Sequence, residues 1–93
     1  MTDIARSHGE TKGRYRVVID GAEAELTYSI MSPIRIIADH TGVPDALRGT
    51  GVGKLLVERM VADARTEGVG IIALCPFVRA QAKRHPEWAD VFG

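Results

Sequence analysis

Two kinds of hydrophobic spacing run along the chain, and the change from one to the other comes near its middle. Residues 14–19 are aromatic and β-branched and lead into Asp20-Gly21, a strong short hairpin signal. Residues 22–30 then alternate, with Ala22, Ala24, Leu26, Tyr28 and Ile30 on one face and Glu23, Glu25, Thr27 and Ser29 on the other. A period of two with one polar face describes a strand half in contact with water. Met31-Ser32-Pro33 is a turn and residues 34–41 a third strand, so short turns join three antiparallel strands into a meander. From Val52 the period lengthens: Val52, Leu55, Leu56, Met60 and Ala64 recur at helical spacing, with Val57 and Val61 beside them. Lys54, Glu58, Arg59, Asp63 and Arg65 fall mostly opposite. This spacing predicts an amphipathic helix over Val52–Glu67, stopped by Gly68. Residues 69–75 form a continuous apolar run of strand length, expected to be buried on both faces and parallel to strand 34–41. Past Pro76, residues 77–84 are a short helix, His85-Pro86 breaks it, and residues 87–92 cap the end. The order is β-β-β-α-β-α, an α/β class. Residues 1–13 show no periodicity and read as a flexible leader, leaving 14–93 as one domain.

Composition narrows the function. A chain of 93 residues with 45% hydrophobic and 26% charged positions has material for one core, and disorder is excluded. Its 12 basic and 12 acidic side chains cancel, which leaves no cationic face for duplex nucleic acid. The longest apolar run, residues 69–78, contains Gly70 and Pro76 and falls well short of the ~20 residues of a membrane span. The polar start of the chain lacks an apolar signal core, and one cysteine, Cys75, excludes an intrachain disulfide or a cysteine-rich zinc site. These features point to a reducing, cytoplasmic setting with no metal centre. The free edge of a small sheet permits a homodimer as well as a monomer.

The informative segment is Arg48-Gly49-Thr50-Gly51-Val52-Gly53-Lys54, between a strand and the long helix. A helix start offers unpaired N–H groups and partial positive charge, and glycines let that backbone approach an anion. A Walker loop ending at Gly53-Lys54 needs Gly at 48 and Ser or Thr at 55, where Arg48 and Leu55 stand, so no Mg²⁺-binding hydroxyl is present. A dinucleotide loop needs glycine at 54 or 56, where Lys54 and Leu56 stand. Arg48-x-x-Gly51-x-Gly53 does fit a known pattern. A plain glycine-rich turn is the simpler alternative, but three alternating glycines each carry an entropic cost that a turn alone does not require.

Arg48-x-x-Gly51-x-Gly53, followed by an amphipathic helix and an apolar strand, resembles the acetyl-CoA pyrophosphate loop of the GNAT N-acetyltransferase superfamily. The stretch from His40 to Gly53, Leu74-Cys75-Pro76-Phe77-Val78 and Lys83-Arg84-His85-Pro86-Glu87-Trp88 are similar to a short, single-domain GNAT-like subfamily, covering about residues 14–92. The resemblance implies a minimal GNAT-like fold, an antiparallel three-stranded meander followed by α-β-α with a central parallel strand pair. It also implies acetyl-CoA as cofactor and an amine as acceptor. Cofactor contacts are then expected from Thr41, Val43, Arg48, Gly49, Thr50, Gly51, Val52, Gly53 and Lys54, with Arg79, Lys83 and Arg84 toward the 3′-phosphate. For any one of those last three, a solvated basic face is the simpler reading.

The chain departs from larger GNAT enzymes in three ways. Asp20-Gly21 is a tight turn where they insert helices that help bind the acceptor, the last strand pair is missing, and no tyrosine follows Tyr28. Two residues remain as catalytic candidates. Cys75 ends an apolar strand at the end where α/β sheets bind ligands, and His40 ends its expected parallel neighbour. A Cys–His pair would activate the thiol for acyl transfer; alternatively His40 alone is the base that deprotonates the amine. A small core residue is the ordinary role for such a cysteine. The expected function is an acetyl-CoA-binding N-acetyltransferase, and the alternative is a non-catalytic acyl-CoA-binding or sensing module.

Overall fold

The computed structural model describes residues 3–92; Met1 and Thr2 of the expected leader, and Gly93, lie outside them. Five strands form one sheet in the order β1-β2-β3-β4-β5: Ala5–His8, Lys12–Ile19, Ala22–Ser32, Arg35–Gly42 and Gly70–Ala73. The first four are antiparallel neighbours and β5 lies parallel to β4. Helix α1 spans Val52–Glu67 and α2 spans Pro76–Arg84. Short 3-10 turns occupy Asp45–Leu47 and Pro86–Trp88.

The β2–β3 hairpin turns on two residues, with Ile19 paired to Ala22. Asp20 and Gly21 take φ of 50° and 80°, the left-handed pair that this twist-matched turn demands. The β3 alternation buries Ala24, Leu26 and Tyr28 and turns their neighbours outward. Tyr15, Leu26 and Tyr28 pack with Leu56, Met60 and Val61 of α1, and with Val78, Trp88 and Val91, in one core. On the polar face Arg14 and Arg16 pair with Glu23 and Glu25.

Three expectations change. Part of the expected leader is a strand, β1, which pairs with β2 from Ala5↔Arg16 to His8↔Gly13. Only Arg6 of β1 is drawn inward, so no hydrophobic alternation marks the strand; polar contacts from Arg6 to Glu67 and Tyr28 hold it instead. The meander therefore has four strands rather than three. The parallel strand pair is also not central, because β5 is the last strand of the sheet. Only Ile71 of β5 is fully buried, and its N–H donates to the Val91 carbonyl at 2.6 Å, so the chain end shields one point of that edge.

The third change is a bulge between β3 and β4. Tyr28 opposes Ala38 and Thr27 opposes His40, which leaves Asp39 as an extra residue. Its carboxylate accepts a 2.6 Å hydrogen bond from the Ser29 hydroxyl. The bulge puts His40 on the face opposite to that of Ala38. Thr41, opposite buried Leu26, takes the inner position instead.

Candidate functional site

The β4–β5 ladder ends at Ala38↔Ala73, while β4 continues to Gly42. The N–H groups of Leu74 and Cys75 both donate to the Ala38 carbonyl, at 3.2 and 2.9 Å, and the chain then turns into α2, leaving β4 past Ala38 without a ladder partner on that edge among the described residues. The chain leaves β4 through the Asp45–Leu47 turn and enters α1 over two left-handed glycines, Gly49 at φ 80° and Gly51 at φ 81°. Gly51 is the N-cap, and no side chain of the described residues makes a capping hydrogen bond to it. Thr50 folds back, its hydroxyl donating to the Leu47 carbonyl at 2.6 Å. Thr50 Oγ1 also accepts from the Val52 N–H at 3.4 Å, and beyond it the Gly53 and Lys54 N–H groups have no side-chain acceptor among the described residues, a setting that favours an anion.

A cleft of about 400 Å³ lies at this junction, lined by the glycine turn and by Thr41, Val43, Arg48, Lys54, Phe77 and Gln81. Gly53 is buried beneath it, and a Cβ there would come within 2.7 Å of Phe77 Cζ. Arg48 stands mostly in solvent and pairs with Asp45 at 3.1 Å. Gln81 is only 8% exposed, and its amide has no hydrogen-bond partner among the described residues.

Eight of the twelve expected cofactor residues meet in this cleft: Thr41, Val43, Arg48, Gly49, Gly51, Val52, Gly53 and Lys54. Thr50 supports the turn from behind. Arg79 and Lys83 lie elsewhere, along a hollow beside β5 and Phe92, and Arg79 donates to the Ala73 and Leu74 carbonyls at 3.4 Å. Arg84 is exposed at the end of α2 and lines none of these hollows. The basic stripe of α2 is thus not the face that borders the cleft. Phe77 and Gln81, also four residues apart, are the α2 residues that reach the cleft.

The proposed Cys–His pair is not assembled. Cys75 is 4% exposed on the helix side, with its sulfur 3.5 Å from the Thr41 hydroxyl. Burial pushes its thiol up, but the Thr41 hydroxyl and the backbone of Val78, Phe77 and Thr41 outweigh that and hold it below the usual thiol range. His40 is exposed on the opposite, polar face, where its ring and Glu25 border Gly42. The bulge at Asp39 is what separates them.

The family model described as GCN5-related N-acetyl-transferase matches residues 14–91. Among solved structures, the solution structure of a "GCN5-like putative N-acetyltransferase" from Staphylococcus aureus superimposes with a TM-score of 0.75 at 36% identity. That match covers 100% of this chain and 91% of the other. No curated protein sequence matches.

Proposed function

The chain belongs to the GCN5-related N-acetyltransferase family, and from that premise we propose that it binds acetyl-CoA in the cleft beside α1 and transfers the acetyl group to an amine. The observation that carries this reading is the edge of β4 left without a ladder partner beyond Ala38↔Ala73 among the described residues, on the same cleft as the two left-handed glycines that open α1. The residues present fit the cofactor: a glycine cradle for the pyrophosphate, free strand backbone for an extended amide-bearing arm, and the Gln81 amide on the same lining. When bound, acetyl-CoA supplies a thioester carbonyl open to attack by an amine.

The N–H groups of Gly49, Gly51, Gly53 and Lys54 hold the anionic part, and Arg48 reinforces them by turning from Asp45 into the cleft. Phe77 and Val43 provide apolar walls that exclude water from the arm. Thr41 and Cys75 close the inner side at the end of β4, where the buried sulfur is screened from an incoming amine. His40 meets the acceptor from the polar face and takes its proton on a ring nitrogen. We assign the base role to His40 and a positioning role to Cys75, with the protein acting in the cytoplasm as a monomer or homodimer.

A second reading, an acyl-CoA-binding module without turnover, draws on the separation of Cys75 from His40. Single-turnover assays decide between the two. Thiol release from acetyl-CoA in the presence of small amines, polyamines or lysine peptides is expected. It should fall at least about a hundredfold in His40→Ala, in keeping with loss of a general base, and much less in Cys75→Ala. Tight binding with no release across that panel favours the module, and full activity in both variants removes the catalytic assignment.

A further inference from the structure

We propose that Gln81 is the residue by which the cleft recognises the amide-bearing arm of its ligand, separately from the anion recognition at the glycine turn. This rests on the acetyl-CoA reading above. The side chain is 8% exposed, yet it forms no hydrogen bond within the described residues. A carboxamide on a residue this enclosed, with no protein partner, has only water or a ligand left to take its hydrogen bonds. Gln81 is the only polar or charged residue in the buried set of the described residues.

No fully enclosed side-chain nitrogen or oxygen lacks a partner among the described residues, so the Gln81 amide keeps contact with solvent. Gln81 lines the cleft. One turn earlier on α2, Phe77 lies against the first turn of α1 at Gly53. The wall of α2 thus presents an apolar plate followed by a group that both donates and accepts. Neither feature suits a phosphate: a carboxamide offers no charge, and a phenyl face repels an anion. Arg48, Lys54 and the glycine turn, which suit a phosphate, belong to the loop and α1 side of the same lining, facing the α2 wall. A neutral chain with an amide or hydroxyl group meets both demands of the α2 wall. In coenzyme A the pantetheine arm has that chemistry and the nucleotide does not present it beside an apolar linker.

Gln81 is therefore a binding and positioning residue for the arm, with no part in proton transfer. The test is calorimetric titration of the full chain with coenzyme A and with adenosine 3′-phosphate 5′-diphosphate, which keeps the pyrophosphate and lacks the arm. Gln81→Leu, similar in size, is expected to weaken coenzyme A about tenfold and leave the nucleotide unchanged, as for one lost hydrogen bond. Gln81→Asn draws the amide back by one methylene and is expected to show the same selective loss; it decides the matter if the leucine variant melts early. Equal losses for both ligands, or no loss for either, overturn the assignment while leaving acetyl-CoA binding in place. Failure of the unaltered protein to bind either ligand overturns both it and the acetyl-CoA reading.

Discussion

Gly53 sits in the first turn of α1 with the Phe77 ring tip where its side chain would lie. Alanine at this position gains about 1 kcal/mol of helix propensity and displaces the free end of a ring that is 36% exposed. The two effects oppose each other, so Gly53→Ala should melt within a few degrees of the unaltered protein. Its coenzyme A affinity should still fall severalfold, because the ring is displaced within the cleft it lines. Thermal melts paired with calorimetry read both quantities. Gly51 behaves differently: a Cβ there meets open space, but φ of 81° costs a non-glycine residue about 1–2 kcal/mol. Gly51→Ala and Gly51→Glu share that strain. Their difference in coenzyme A binding therefore isolates the repulsion between a carboxylate and the pyrophosphate, and the glutamate variant should bind far more weakly.

Among the elements, β1 depends on polar chemistry to a degree that the others do not. Arg6 reaches Glu67 at the end of α1 and donates to the Tyr28 hydroxyl at 3.1 Å, while the Tyr15 hydroxyl donates to Asp63 at 2.8 Å. Burial first, and then the hydrogen bond to Asp63, raise Tyr15 well above the usual tyrosine range, so it remains a donor at any working pH. The Arg6 hydrogen bond holds the Glu67 carboxyl below its ordinary value. A depressed carboxylate contributes stability that is present above its unfolded pKa and lost as pH falls through its folded one. Amide exchange in β1 should therefore accelerate relative to the rest of the sheet as pH drops from neutral toward about 3. Glu67→Gln should remove that difference, and a β1 that stays protected would show that its strand pairing is sufficient without the ion pair.

The same elements show what the sequence makes legible. The bounds of α1, Val52–Glu67, follow from its apolar period and from Gly68, which ends it at φ of 70°. β1 escaped because Ala5, Ser7 and His8 face solvent and leave no alternation to read. β5 looked doubly buried because residues 69–75 are apolar, yet strand order is a tertiary fact and places it last. His40 and Cys75 end neighbouring parallel strands, which places them at one end of the sheet, but the extra residue Asp39 turns His40 to the other face, and a bulge leaves no mark in the sequence. The glycine turn was legible because its residues are local in sequence. Gln81 was not, since a glutamine on a helix signals nothing until its burial is seen.

Over the whole molecule, zero net charge is compatible with the proposed anion site, because that site is built largely from backbone N–H groups, which a count of side chains cannot register. The family model matches residues 14–91, and among the described residues no helix covers the polar face of the sheet. A ligand that binds only the folded chain stabilises it by roughly 2.7 kcal/mol at a hundredfold excess over Kd. For a chain of this size that raises Tm by about 10–20 °C, and scanning calorimetry with saturating coenzyme A should find such a shift. The most direct test is a titration of uniformly ¹⁵N-labelled protein with coenzyme A, followed by amide chemical shifts. Saturable shifts concentrated at Thr41, Gly49 to Lys54 and Phe77 to Gln81 are predicted, with β1 and the Asp20-Gly21 turn nearly still. An unperturbed spectrum, or shifts confined to the polar face around Arg14, Glu23 and Glu25, would contradict the account.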